Sequence, residues 1–245
     1  MDTKEENSPK TRVKTNIVGF DDLIGGGIPA GAVCLITGEP GTMKTSLAFS
    51  ILYNSSLKPG QKSAYITLEQ PKKCLLSQVA SIGLKNKEAI DRISVVDVGT
   101  LRRNMRFPKG EESWLELIKM HVRDLVKTEN VKVLGFDSLD VLETLAKFKD
   151  RRSELYNFFG WLRDLGLTSI VISERPTDTR DSHYPDEAYL ADAVINVGLY
   201  PTSDVHVQRR IRCIKMRCTK HDTSYFTLVL EDGRFEITST MSATS

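Results

Sequence analysis

Gly38-Glu39-Pro40-Gly41-Thr42-Met43-Lys44-Thr45 is the stretch of this chain whose residue types and order suit a polyphosphate. It approximates the pattern G-x-x-x-x-G-K-[ST], with Met43 where the pattern has a glycine. A polyphosphate needs dense positive potential without bulk. Successive backbone N–H groups at a helix N-terminus supply it, and the helix dipole adds to it. Gly38 and Gly41 let the backbone wrap closely around oxygen atoms. Lys44 would reach the β- and γ-phosphates of ATP, and the Thr45 hydroxyl would bind Mg²⁺. Glu39, Pro40, Thr42, Met43 and Ser46 complete the candidate binding loop. A side chain at Met43 costs about 1–2 kcal/mol if the turn there requires positive φ. Charge-assisted hydrogen bonds to phosphate, at about 1.5–3 kcal/mol each, outweigh that strain. The bland alternative is a Gly-Pro-Gly turn that happens to precede a lysine.

Two acids stand where such a site needs them. Ligands of a phosphate-loop enzyme gather at the carboxyl ends of parallel strands. Asp137 ends the apolar run 131–136 and would hold the Mg²⁺ shell opposite Thr45, unless it serves only as a helix cap. Glu69 ends the run 63–68 and could orient or deprotonate an attacking water; an exposed acid at a strand end is its plain alternative. Gln70, beside it, can hydrogen-bond but takes no proton.

The flanking elements fit these roles. A strand over 32–37 feeds the loop, and a helix with Leu47, Ala48, Ile51 and Leu52 on one face leaves it. Further strands are expected over 63–68, 92–98, 131–136 and 168–173, alternating with helices over 71–82, from Trp114 to Leu125 and from Leu155 to Leu165. That alternation predicts an α/β fold with a mainly parallel central sheet flanked by helices. Residues 100–111 are expected as a loop. Runs at 194–199, 210–216, 225–230 and 235–237 predict antiparallel strands toward the C-terminus, with a hairpin turn at 231–234. Residues 1–14 and 239–245 read as flexible tails around a single domain over 15–238.

Composition narrows the class. With 245 residues, 40% hydrophobic, the chain can bury the core of one large domain. No apolar run approaches the ~20 residues of a membrane span, and the polar N-terminus does not read as a signal peptide, so no membrane role and a cytoplasmic location are expected. A net charge of +2 argues against a nucleic-acid coat protein. Cys34, Cys74, Cys213 and Cys218 follow no metal or disulfide spacing and read as reduced thiols, and the four histidines do not cluster.

Together these residues resemble the KaiC-like branch of the RecA superfamily of ATPases, including its single-domain archaeal members. The resemblance covers roughly Thr15 to Ile237. Phe20-Asp21-Asp22-Leu23-Ile24-Gly25-Gly26-Gly27-Ile28-Pro29-Ala30-Gly31 is similar to the family's signature before the phosphate loop. Ile66-Thr67-Leu68-Glu69-Gln70 is similar to a strand that ends in two glutamates in the family, with Gln70 replacing the second. Asp137-Ser138 matches its Walker B end. Ser173-Glu174 matches the strand end that senses the γ-phosphate, which adds Ser173 to the binding residues. Lys215-Met216-Arg217-Cys218-Thr219-Lys220-His221 resembles the family's K-M-R-G-x-x-H, with Cys218 in place of a glycine.

The resemblance implies a RecA-like P-loop fold and a slow ATPase with a regulatory or signalling role. It further implies a homo-oligomer, expected as a hexameric ring, in which Lys215 and Arg217 reach the γ-phosphate bound by a neighbouring subunit. Lys44, Glu69, Lys215 and Arg217 are then the catalytic candidates. Cations supplied in trans would stabilise charge developing on the transferred phosphoryl group. The plain alternative has Lys215 and Arg217 pointing to solvent from one face of an edge strand.

Two other functions stay open. Met43 and Gln70 are compatible with an ATP-sensing scaffold of negligible turnover, read by a protein partner. The segment 174–187, with Arg175, Arg180 and Tyr184, could instead contact DNA in the manner of a RecA- or RadA-like protein. The run Lys147, Lys149, Arg151, Arg152 reads as a solvated face, and Arg102, Arg103, Arg106 and Lys109 as an exposed basic loop.

Overall fold

The computed structural model describes residues 11–104, 114–174 and 185–239, with the side chains of 102–104 also outside the description. Arg175, Arg180 and Tyr184, and the side chains of Arg102, Arg103, Arg106 and Lys109, therefore lie outside the described residues.

The chain opens with β1 (Arg12–Val13), α1 (Phe20–Leu23) and β2 (Ile28–Pro29). Then follow β3 (Val33–Thr37), α2 (Lys44–Ser56), β4 (Lys62–Thr67), α3 (Lys72–Ser81) and α4 (Lys87–Asp91). Next come β5 (Ile93–Asp97), α5 (Val98–Asn104), α6 (Trp114–Glu129), β6 (Val131–Asp137) and α7 (Leu139–Ala146). The described chain closes with α8 (Arg151–Asp164), β7 (Thr168–Ser173), α9 (Asp186–Leu190), β8 (Ala193–Pro201), β9 (Val207–Met216), β10 (Phe226–Glu231) and β11 (Arg234–Ser239).

The main sheet has the order β11-β10-β9-β8-β3-β7-β6-β4-β5. From β8 to β5 neighbouring strands run parallel, and β8-β9, β9-β10 and β10-β11 run antiparallel. Every residue of β3 and of β7 is buried, the signature of parallel strands covered on both faces. Alternation along β3 divides the core into two layers. Cys34 and Ile36 pack toward α2, α3 and α4, with Leu47, Phe49, Leu75 and Val79. Val33 and Leu35 pack toward α6, α7 and α8, with Ile118, Leu142, Phe158 and Leu162.

Three local expectations change. Arg12 and Val13, placed by the sequence in an N-terminal tail, pair antiparallel with Pro29 and Ile28. Arg12 also donates to Gly27 O at 2.7 Å and to Thr219 Oγ1 at 2.9 Å. A helix, α5, runs from Val98 into the segment expected as a loop. Asp97 starts it by accepting from Thr100 N at 2.8 Å and Thr100 Oγ1 at 2.7 Å, a short cap masked in the sequence by the basic residues after it. β9 is an inner strand where β10 pairs with it, at Arg210 and Ile211.

Candidate functional site

The phosphate-loop candidate joins β3 to α2 at the carboxyl end of the parallel strands, as its sequence context requires. Its tight path has two causes. A Cβ at Gly38 would stand 2.0 Å from Val197 O, so only glycine lets the loop pass beside β8. Met43 takes φ 72° immediately before α2, so the strained left-handed conformation falls on a side chain. That side chain is half-buried and packs against the α2 core layer, which offsets part of the strain.

A cavity of about 490 Å³ opens over this loop, lined by Pro40, Gly41, Met43, Lys44, Thr45 and Ser46, with Glu69, Asp137 and Glu174 among its other walls. Lys44 Nζ donates to Glu39 O at 3.0 Å, and Thr42 Oγ1 donates to the same carbonyl at 2.8 Å. Burial lowers the pKa of Lys44, against the fields of Glu174, Glu69, Asp137 and Asp140. Glu39 turns outward, its carboxylate accepting from Leu199 N at 3.3 Å.

Asp137 is the focus of the cavity floor. Its Oδ2 accepts from Thr45 Oγ1 at 2.8 Å and from Tyr65 Oη at 2.7 Å. Its Oδ1 is buried and has no hydrogen-bond partner among the described residues. Burial pushes its carboxyl up to about 6, against the Tyr65 and Thr45 hydrogen bonds and the Lys44 charge. The aspartate therefore does not cap a helix; Ser138 occupies the N-cap of α7. Tyr65 reaches Asp137 because its neighbour on β6 is Gly135, where a Cβ would stand 2.6 Å from the tyrosine ring.

Glu69 is exposed at the cavity wall. Gln70 does not line it: its Nε2 donates to Gln78 Oε1 at 3.1 Å, and Gln78 Nε2 donates to Ser46 Oγ at 3.2 Å. Ser173 also lies outside the lining. It is fully buried and its Oγ donates to Glu187 Oε1 at 3.2 Å, while its neighbours Ile172 and Glu174 line the cavity. Sequence reasoning missed Tyr65, Gln78 and Glu187. A tyrosine facing a glycine across paired strands is the one signal that could have located the first, and it requires the register.

Lys215 and Arg217 do not line the cavity of their own chain. Lys215 Nζ donates to Ala188 O at 3.1 Å and Tyr189 O at 2.9 Å. Arg217 donates to Asp192 Oδ1 at 2.9 Å and to Tyr189 O at 3.1 Å. Burial, then the Arg217 charge, pushes the Lys215 amine down to about 8. Burial pushes Asp192 upward, but the Val33 amide, Arg163 and Arg217 outweigh it and hold its carboxyl below the ordinary value. Cys218 adopts φ 56°, so the turn after Arg217 keeps the left-handed conformation that a glycine would take freely. Arg151 is not part of a solvated face. It donates to Glu143 at 2.8 and 2.9 Å and to the fully buried Glu187 at 2.6 Å.

A phosphate loop between β3 and α2, an acid closing a buried parallel strand and a mainly parallel sheet define a P-loop nucleotide-binding domain. The chain belongs to the KaiC ATPase family, whose family model matches residues 13–242. It is 29% identical to a UPF0273 protein of Aeropyrum pernix, over 86% of each chain. The circadian clock protein KaiC2 of Synechocystis is 24% identical, matching 91% of this chain and 39% of that one; KaiC3 of the same organism is 28% identical, matching 91% and 44%. The chain thus spans less than half the length of those clock proteins. The crystal structure of the KaiC-like protein PH0186 of Pyrococcus horikoshii superposes with a TM-score of 0.76 at 27% identity, covering 94% of this chain and all of that one. The fold is therefore that of the KaiC-like RecA ATPases.

Proposed function

We propose that the protein hydrolyses ATP with Mg²⁺, slowly, at a site completed by a neighbouring copy. The observation that carries this reading is the convergence of Lys44, Thr45 and Asp137 on one cavity, with Thr45 and Asp137 joined at 2.8 Å. The loop N–H groups and Lys44 bind the phosphates. A hydroxyl and one carboxylate whose buried Oδ1 has no partner among the described residues suit Mg²⁺, whose remaining ligands would be phosphate oxygens and water. Thr45 and Asp137 would hold it, and bound there it would neutralise charge on the β- and γ-phosphates. Glu69 faces the same cavity and would orient or deprotonate the attacking water.

Lys215 and Arg217 are outside the lining of their own cavity, which is what action in trans requires. Both stand beside Tyr189, a residue 57% exposed, so the basic pair lies at an accessible surface. A homo-oligomeric ring, a cytoplasmic setting and a regulatory role, the last supported by the named clock-protein relatives, belong to the same proposal. The single domain over 15–238 does too.

ATP hydrolysis with Mg²⁺, measured at concentrations that permit assembly, tests it. Lys44→Ala and Glu69→Gln should each lower turnover at least tenfold. Turnover unchanged in both variants would refute an ATPase, and tight ATP binding with no product even in single turnover would favour the sensing scaffold.

A further inference from the structure

The basic pair donates to carbonyls of α9, and α9 carries one fully buried carboxylate among its anchors. Glu187 is 0% exposed, on a helix of five residues. Its Oε2 accepts from Arg151 Nη2 at 2.6 Å, and its Oε1 accepts from Ser173 Oγ at 3.2 Å. Arg151 is itself gripped by Glu143 of α7 through two hydrogen bonds and lies 3.5 Å from Asp186. A carboxylate taken out of water persists only where it is paired and hydrogen-bonded, so this anchor has one defined geometry.

The carbonyls that receive the two cations begin at the next residue. Ala188 O and Tyr189 O accept from Lys215, and Tyr189 O also accepts from Arg217. On its other side the anchor touches Ser173, which lies between two residues of the nucleotide cavity, Ile172 and Glu174. Side-chain hydrogen bonds and one short helix therefore join the end of β7 to Lys215 and Arg217 without a gap.

We infer that Glu187 is a positioning residue: it seats α9 so that Lys215 and Arg217 are presented to the neighbouring site, and through Ser173 it ties that presentation to the end of β7. The inference rests on the trans role proposed above. It assigns Glu187 no contact with nucleotide. Removing its charge should leave a chain's own nucleotide site intact while spoiling what the chain contributes to the next.

The test is Glu187→Gln in the full chain, which keeps side-chain shape and an acceptor for Ser173. ATP affinity and assembled mass should stay within twofold of wild type, while kcat falls at least tenfold. Mixed with Lys44→Ala, whose basic pair is intact but whose phosphate loop is disabled, Glu187→Gln should regain activity above the sum of the two alone. A variant that does not fold is replaced by Glu187→Asp, which keeps the charge but shortens its reach to Arg151 and Ser173, and should show the same split and rescue. A kcat within twofold of wild type, or a loss that mixing does not rescue, overturns the inference. If Lys215→Ala retains full turnover, the trans role itself fails; if Lys215→Ala is inactive and Glu187→Gln is not, the positioning role alone fails.

Discussion

Tyr65 donates a 2.7 Å hydrogen bond to Asp137 Oδ2, from the neighbouring strand and through the space that Gly135 leaves open. This places a buried phenol beneath the carboxylate expected to hold Mg²⁺. Tyr65→Phe should lower stability by about 1.5–3 kcal/mol, the range for a hydrogen bond to a charged group. It should also weaken Mg-ATP binding, because Asp137 then keeps only the Thr45 donor. Denaturant unfolding and a Mg²⁺ titration of nucleotide affinity check both; an unchanged Mg²⁺ requirement would show that Tyr65 is mere packing.

The Asp137 carboxyl lies at about 6, raised chiefly by burial. A folded value above the unfolded one favours the protonated fold. The associated stabilisation is complete below the unfolded value of 3.8 and is lost as pH rises through about 6. Asp137→Asn should therefore stabilise the nucleotide-free protein at pH 7.5, by on the order of 3 kcal/mol, while abolishing Mg²⁺-dependent turnover. In the wild type, Mg-ATP binding should decline as pH falls below 6. A destabilised Asp137→Asn would mean that the carboxylate charge is better satisfied than its unpaired Oδ1 indicates.

Which features were legible in the sequence follows from distance along the chain. The phosphate loop and Asp137 announce themselves because motif and flanks lie within a few residues. The sheet class follows from the alternation of apolar runs with helical periods. Tyr65, Gln78 and Glu187 act on partners 72, 32 and 36 residues away, so strand register and helix packing had to be known first. Arg151 was hidden by its company: among Lys147, Lys149 and Arg152 it looks like one more solvated cation, and only the fold brings Glu143 and Glu187 to it. Met43 and Cys218 were legible as departures, and both adopt the left-handed conformation that glycine usually takes.

Lys215 is placed to titrate in an accessible range. Burial and the like charge of Arg217 bring its amine to about 8, below the ordinary 10.5. The charged form is thus disfavoured in the fold, and the amine loses its proton as pH rises through 8. If the charge stabilises the transferred phosphoryl, turnover should fall on the basic side with a midpoint near 8. Arg217→Ala removes a repelling charge, so the Lys215 carbon-NMR titration should move upward in that variant. A midpoint that stays in place would remove Arg217 as a cause.

Arg151→Ala should be the most damaging of these substitutions to the fold. It leaves Glu187 buried without its cation, and breaking a buried pair in this way costs about 3–5 kcal/mol. Thermal or denaturant unfolding measures the loss. A change below 1 kcal/mol would indicate that water reaches Glu187.

The proposal that matters most is that the nucleotide site is completed by another copy. Its most direct measurement mixes two inactive proteins: Lys44→Ala, which lacks a working phosphate loop, and the double variant Lys215→Ala/Arg217→Ala, which lacks the basic pair. An intact loop on one subunit then meets an intact pair on the next, and ATP hydrolysis should return well above the sum of the separate activities. Hydrolysis that stays at that sum, in a mixture shown by mass to co-assemble, would contradict a site shared between subunits.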